Sequence, residues 1–132
     1  EGAVEAVRAV HARLGGRIAC ASGADRYKVE MQLEKVGLAP YFAGRVFSGH
    51  EMPATKPAPD VYLAAAAALG VPPQRCLVVE DTVTGVTAGV AAGATVVGFS
   101  PSAVGHGSPE ALRDAGAVHV MVHLSELPAL LG

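Results

Sequence analysis

Glu80 and Asp81 are adjacent carboxylates at the end of the apolar run CLVV (residues 76–79), directly before the turn-forming TVTG. Two acids at the mouth of an apolar strand repel one another and lose hydration unless a hard cation sits between or beside them. Magnesium is the natural candidate, because it keeps several waters and takes only one or two protein carboxylates together with substrate phosphate. The plainer alternative is an acid pair favoured by the dipole at a helix N-terminus.

Two further groups stand in comparable places. Ser22-Gly23 follows the apolar run RIACA (residues 17–21), where a hydroxyl and the backbone N–H groups of a turn entering a helix can receive an anion. A serine that simply caps the helix is the competing explanation. Lys56, one of three lysines, lies in TKPAPD, where Pro57 favours extended backbone before it and a proline-marked helix start follows. An ammonium held at a strand end could neutralise a phosphoryl oxygen and an attacking carboxylate together, easing the approach of anion to anion. A solvated loop lysine is the alternative.

The elements that must position these groups are legible in the hydrophobic pattern. Val4, Val7, Val10 and Leu14 recur at helical spacing and stop at Gly15-Gly16. A strand over 17–21, a helix from about Asp25 to Val36 and a short strand over 45–47 follow. A helix over 60–69 ends at Gly70, and 76–79 reads as a fully buried strand. A helix over about 84–92 and strands over 95–99 and 118–122 complete the set. Gly85, Gly89 and Gly93 fall four apart, a spacing that lets their helix lie close against a sheet. Strands alternating with helices predict a doubly wound α/β domain with a mostly parallel sheet, in which ligands bind beyond the carboxyl ends of the strands. Residues 101–109 read as the one long loop.

Composition bounds the alternatives. At 132 residues, 51% hydrophobic and 17% charged with a formal net charge of −2, the chain reads as a single domain, 1–132, with a real core. Scattered Lys and Arg and few aromatics argue against nucleic acid. No apolar stretch approaches the roughly 18 residues of a spanning helix, so neither a membrane role nor an exported location is expected, and the cytoplasm is the simplest compartment. Cys20 and Cys76 lie in apolar runs and read as small inert hydrophobes. His11, His50, His106, His119 and His123 share no metal-ligand spacing. Arg26 and Glu51 are weaker site candidates, placed near it by their loops alone. The sequence opens on Glu1 inside a helical pattern, so a leading segment outside this chain is expected.

Ser22 after its strand, Lys56 in KPAPD and VVEDTVTGVTAGVAAGA (residues 78–94), in this order and at these separations, resemble the haloacid dehalogenase-like (HAD) hydrolase superfamily, and within it the β-phosphoglucomutase-like and sugar-phosphatase branch. The resemblance runs from the first helix through HLSELPALL (residues 123–131). It implies that Ser22 and Lys56 bind the transferring phosphoryl group, with a backbone N–H from Gly23. It also implies that Asp81 is a direct Mg2+ ligand and that Glu80 supports the ion through a bound water. Members attack phosphorus with an aspartate of a D-x-D motif on the central first strand. The aspartates here are Asp25, Asp60, Asp81 and Asp114, so no D-x-D occurs. The resemblance therefore implies that the nucleophile strand, between the strands ending at Ala21 and Glu80, and a helical cap lie outside this chain. The expected activity is a Mg2+-dependent phosphatase for a small phosphorylated metabolite, a sugar phosphate by preference, working as a monomer or weak dimer, with this chain alone inactive. A phosphomutase and a catalytically inactive phosphate-binding or regulatory domain are the alternatives. Dehalogenation fits less well, since it has no need of a cation site.

Overall fold

The computed structural model describes residues 3–22, 25–42, 45–54, 56–101 and 107–130. Helix α1 (Ala3–Arg13) leads into strand β1 (Cys20–Ser22), helix α2 (Arg26–Lys35) and strand β2 (Val46–Ser48). Helix α3 (Asp60–Leu69), strand β3 (Leu77–Glu80), helix α4 (Val83–Ala91) and strand β4 (Thr95–Phe99) follow. The chain closes with helix α5 (Pro109–Ala115), strand β5 (His119–Met121) and the short helix α6 (Leu127–Leu130). The α/β class read from the sequence is the one observed, and every strand pair is parallel. Among the described residues no helix is long and apolar enough to cross a membrane.

Local chemistry explains the boundaries. Asp25 caps α2 by accepting from the Lys28 N–H at 3.0 Å, and Thr82 caps α4 by accepting from Gly85 N–H at 3.0 Å. The α3 helix stops at Gly70, whose φ of 69° is left-handed backbone that glycine adopts without a Cβ clash. Ser108 caps α5, a helix absent from the sequence reading, which treated its approach only as a loop.

The strands form two sheets, β1-β2 and β3-β4-β5. Helices α2 and α3 pack on the first, and α4 and α5 on the second. The second sheet carries the core cluster of Val78, Val86, Val96, Leu112, Ala117 and Val120. Gly89 lets α4 approach it: an added Cβ would stand 2.7 Å from Val96 Cγ2 and 3.2 Å from Val78 Cγ1. Gly93, grouped with Gly85 and Gly89 by spacing, instead lies past the helix with a φ of 93°.

Among the described residues, no strand pairs with the edge of β1 away from β2 or the edge of β3 away from β4. A cavity of about 620 Å³ runs along both strands, with Ile18, Ala19 and Ala21 on one side and Leu77, Val78 and Val79 on the other. This corrects the expectation of a fully buried strand at 76–79. Val79 is 36% exposed because its side borders the cavity, and Cys76 is only half-buried for the same reason.

Candidate active site

The carboxyl ends of β1 and β3 open into a second cavity of about 550 Å³, lined by Ala21, Ser22, Lys56, Val79, Glu80, Asp81, Thr82, Thr84 and Phe99. Ser22, Lys56, Glu80 and Asp81 thus share one pocket, whereas Gly23 lies outside the described residues. A hydroxyl, an ammonium and two carboxylates meet where strand ends leave polar groups uncovered by sheet pairing.

Other residues cap the neighbouring helices. Asp25 rather than Ser22 caps α2, and Thr82 rather than an acid caps α4. Lys56 is no solvated loop lysine: its side chain is 14% exposed and its Nζ lies 2.5 Å from Glu80 Oε2. The same Nζ donates to the Ala21 carbonyl at 3.5 Å, tying the Lys56 segment to the end of β1. The Lys56–Pro57 peptide bond is cis.

Glu80 is the hub of the pocket. Its Oε2 accepts from both Lys56 and the Tyr62 hydroxyl, and the Lys56 ammonium stands 4.9 Å from the Tyr62 ring centroid. A Cβ at Gly85 would overlap the Glu80 carboxylate, so this glycine makes room for an acid rather than for helix-on-sheet packing alone. Burial pushes the Glu80 carboxyl up, the Lys56 ammonium pulls it down, and the neighbouring Asp81 charge pushes it up again. Burial pushes the Cys20 thiol up, against a smaller downward pull from Lys56.

The donor set suits magnesium. Among the described residues no three of His, Cys, Asp and Glu cluster into an all-protein cage. Two adjacent carboxylates on a pocket that also holds an ammonium could hold a hydrated Mg2+ beside a phosphate. Glu80 Oε2 is held by Lys56 and Tyr62, and Asp81 lines the same pocket, so both carboxylates stand where they could hold an ion.

Sequence reasoning missed three contributors. Tyr62, two residues after the KPAPD segment, carries no signal beyond an aromatic in the first turn of a helix. Gly85 was read for packing. Phe99 could have been found, because it ends β4 at the same edge of the sheet. Arg26 and Glu51 do not line the pocket but bind each other, Arg26 Nε and Nη2 donating to the two Glu51 oxygens at 2.9 and 2.8 Å. His11 packs edge-on against Tyr41, and His119 Nε2 lies 3.8 Å from Glu126 Oε1, both away from the site; His106 lies outside the described residues.

A family model described as haloacid dehalogenase-like hydrolase matches residues 1–93. The chain is 30% identical to the 6-phosphogluconate phosphatase of Escherichia coli over 132 residues, covering 97% of this chain and 56% of that protein. A HAD family hydrolase from Deinococcus radiodurans, solved with bound phosphate and sodium, superposes with a TM-score of 0.87 at 36% identity, over 99% of this chain and 58% of that one. CbbY from Rhodobacter sphaeroides, solved in complex with phosphate, gives a TM-score of 0.76 at 25% identity, over 96% and 54%. The chain therefore spans little more than half the length of each of these relatives.

Proposed function

The chain belongs to the haloacid dehalogenase-like hydrolases, and from that premise we propose that it is the phosphate- and magnesium-binding core of a phosphatase for a small phosphorylated metabolite, with sugar phosphates as the substrate class. The observation that carries this reading is the convergence of Ser22, Lys56, Glu80 and Asp81 on one pocket at the strand ends. Two relatives with phosphate bound in their structures support it.

In the proposed chemistry the Ser22 hydroxyl, joined by the Gly23 N–H, donates to the phosphoryl oxygens and fixes their orientation. Lys56 neutralises the same group and lowers the repulsion felt by an incoming carboxylate. Glu80 braces Lys56 through Oε2, and Asp81, supported by Glu80, would hold Mg2+. That ion, when bound, supplies charge neutralisation at the phosphoryl oxygens.

The attacking group is an aspartate outside this chain: as its oxygen bonds to phosphorus, the phosphorus–oxygen bond to the substrate alcohol breaks and the alcohol leaves with a proton, and water then hydrolyses the aspartyl-phosphate to free aspartate and inorganic phosphate. The apolar cavity between β1 and β3 supports a further strand there: parallel neighbours on both sides would satisfy its backbone, and its carboxyl end would reach the pocket, since Ala21 and Val79 line both cavities. Residues 1–132 are then one incomplete core domain, with the cap also elsewhere, and turnover by this chain alone is negligible. A phosphomutase would share every residue named here and differ in how a cap retains its intermediate. An inactive phosphate-binding domain would lack the upstream D-x-D altogether.

The test is an assay of the whole gene product on a panel of sugar phosphates, with and without chelator. Phosphate release that stops in chelator and in Asp81→Asn supports the reading. Release indifferent to both, or intramolecular phosphoryl migration without release, overturns it.

A further inference from the structure

We propose that Arg26 and Glu51 are a positioning pair that holds the Ser22 and Lys56 segments at their mutual distance. The inference rests on the functional reading above only in taking Ser22 and Lys56 as the phosphoryl-binding residues.

Arg26 stands four residues after Ser22, in the first turn of α2, and Glu51 stands five residues before Lys56, in the turn that follows β2. The guanidinium grips both Glu51 oxygens, at 2.9 and 2.8 Å. Its Nη2 also donates to the Val46 carbonyl at 2.7 Å, and its Nη1 to Glu30 at 3.2 Å. One side chain thus joins the start of α2, the start of β2 and the turn leading to Lys56. A planar fork with donors in fixed directions can do this, and a lysine ammonium cannot. The guanidinium holds the Glu51 carboxyl below its ordinary range.

The pair contributes little to global stability, because its side chains are 40% and 45% exposed and solvent screens such pairs. Its consequence is geometric. Ser22 is fixed on one side by its register with Ser48. Among the described residues, those beyond β1 and β2 have no such sheet pairing, and Arg26 bridges them at that point.

The test uses Arg26→Lys, which keeps the charge without the fork, and Glu51→Gln, which breaks the pair from the other side. Backbone 15N relaxation should show order parameters at Ser22 and Lys56 falling from about 0.85 to below about 0.6 in both variants. Order in β3, β4 and β5 and the thermal midpoint should stay unchanged. Affinity for inorganic phosphate with Mg2+ should weaken roughly two- to fivefold. Unchanged order at Ser22 and Lys56 in either folded variant overturns the inference, as does a loss of order spread through all strands together with a lowered midpoint. A wild-type chain that fails to bind phosphate counts against the functional reading alone, and the relaxation data still decide the role of the pair.

Discussion

Replacing Lys56 by methionine, which keeps the length of the apolar stem, leaves Glu80 charged and buried without its ion-pair partner. Lys56 and Glu80 are 14% and 9% exposed, so they fall among buried pairs, in which loss of one member costs about 3–5 kcal/mol. The Tyr62 hydroxyl still donates to Oε2, which offsets about 1 kcal/mol and leaves an expected loss of about 2–4 kcal/mol at pH 7. The loss should depend on pH with a definite sign. Burial already raises the Glu80 carboxyl against the pull of Lys56, and removing Lys56 raises it further. A carboxyl raised in the folded state favours folding fully below its unfolded value of about 4.3, and that contribution is lost as pH rises through the folded value. The deficit of Lys56→Met should therefore be smallest near pH 3.5 and grow toward neutrality, as read by urea unfolding in metal-free buffer. Adding Glu80→Gln should recover most of it, with a coupling energy of about 1–3 kcal/mol. A deficit under about 1 kcal/mol at pH 7, or one equal at both pH values, would refute the reasoning.

The core and caps give independent expectations. Leu112→Ala empties a fully buried site and should cost about 2–5 kcal/mol in chemical denaturation. Gly89→Ala drives a Cβ against Val96 and Val78, where α4 must lift from the sheet, and should cost about 1–3 kcal/mol with a lowered thermal midpoint. Gly85→Ala should displace the Glu80 carboxylate and weaken Mg2+ affinity in calorimetry. Glu126 accepts from the His123 and Val122 N–H groups, which hold its carboxyl below its ordinary value. Its contribution is present above the unfolded value and lost as pH falls through the folded one, so the protection of the Val122 and His123 amides, relative to their intrinsic exchange rates, should fall in acid and hold at neutral pH.

The repetition of strand and helix was readable because apolar spacing and glycine stops are local signals; α3 and β4 lie at the predicted residues, 60–69 and 95–99. Other ends moved by a residue or more, as at β1, where only Cys20–Ser22 pairs although 17–21 was expected. Pairing is decided by neighbours, and Arg17 to Ala19 border the open cavity. That Ser22, Lys56, Glu80 and Asp81 would share one pocket was legible because polar groups after apolar runs are rare and strand ends converge. What stayed hidden was contact between elements distant in sequence: the Tyr62 hydroxyl on Glu80, the Gly85 notch and the bidentate grip of Arg26 on Glu51. No local periodicity encodes such contacts.

In the proposed site a hydroxyl, an ammonium and a carboxylate gather around one phosphorylated guest and one divalent ion. Amide chemical shifts followed while inorganic phosphate is added in the presence of Mg2+ test it most directly. Saturable shifts centred on Ser22, Lys56 and Asp81, lost in Asp81→Asn, are the predicted result. Saturable shifts centred elsewhere, or none at millimolar phosphate, would contradict it.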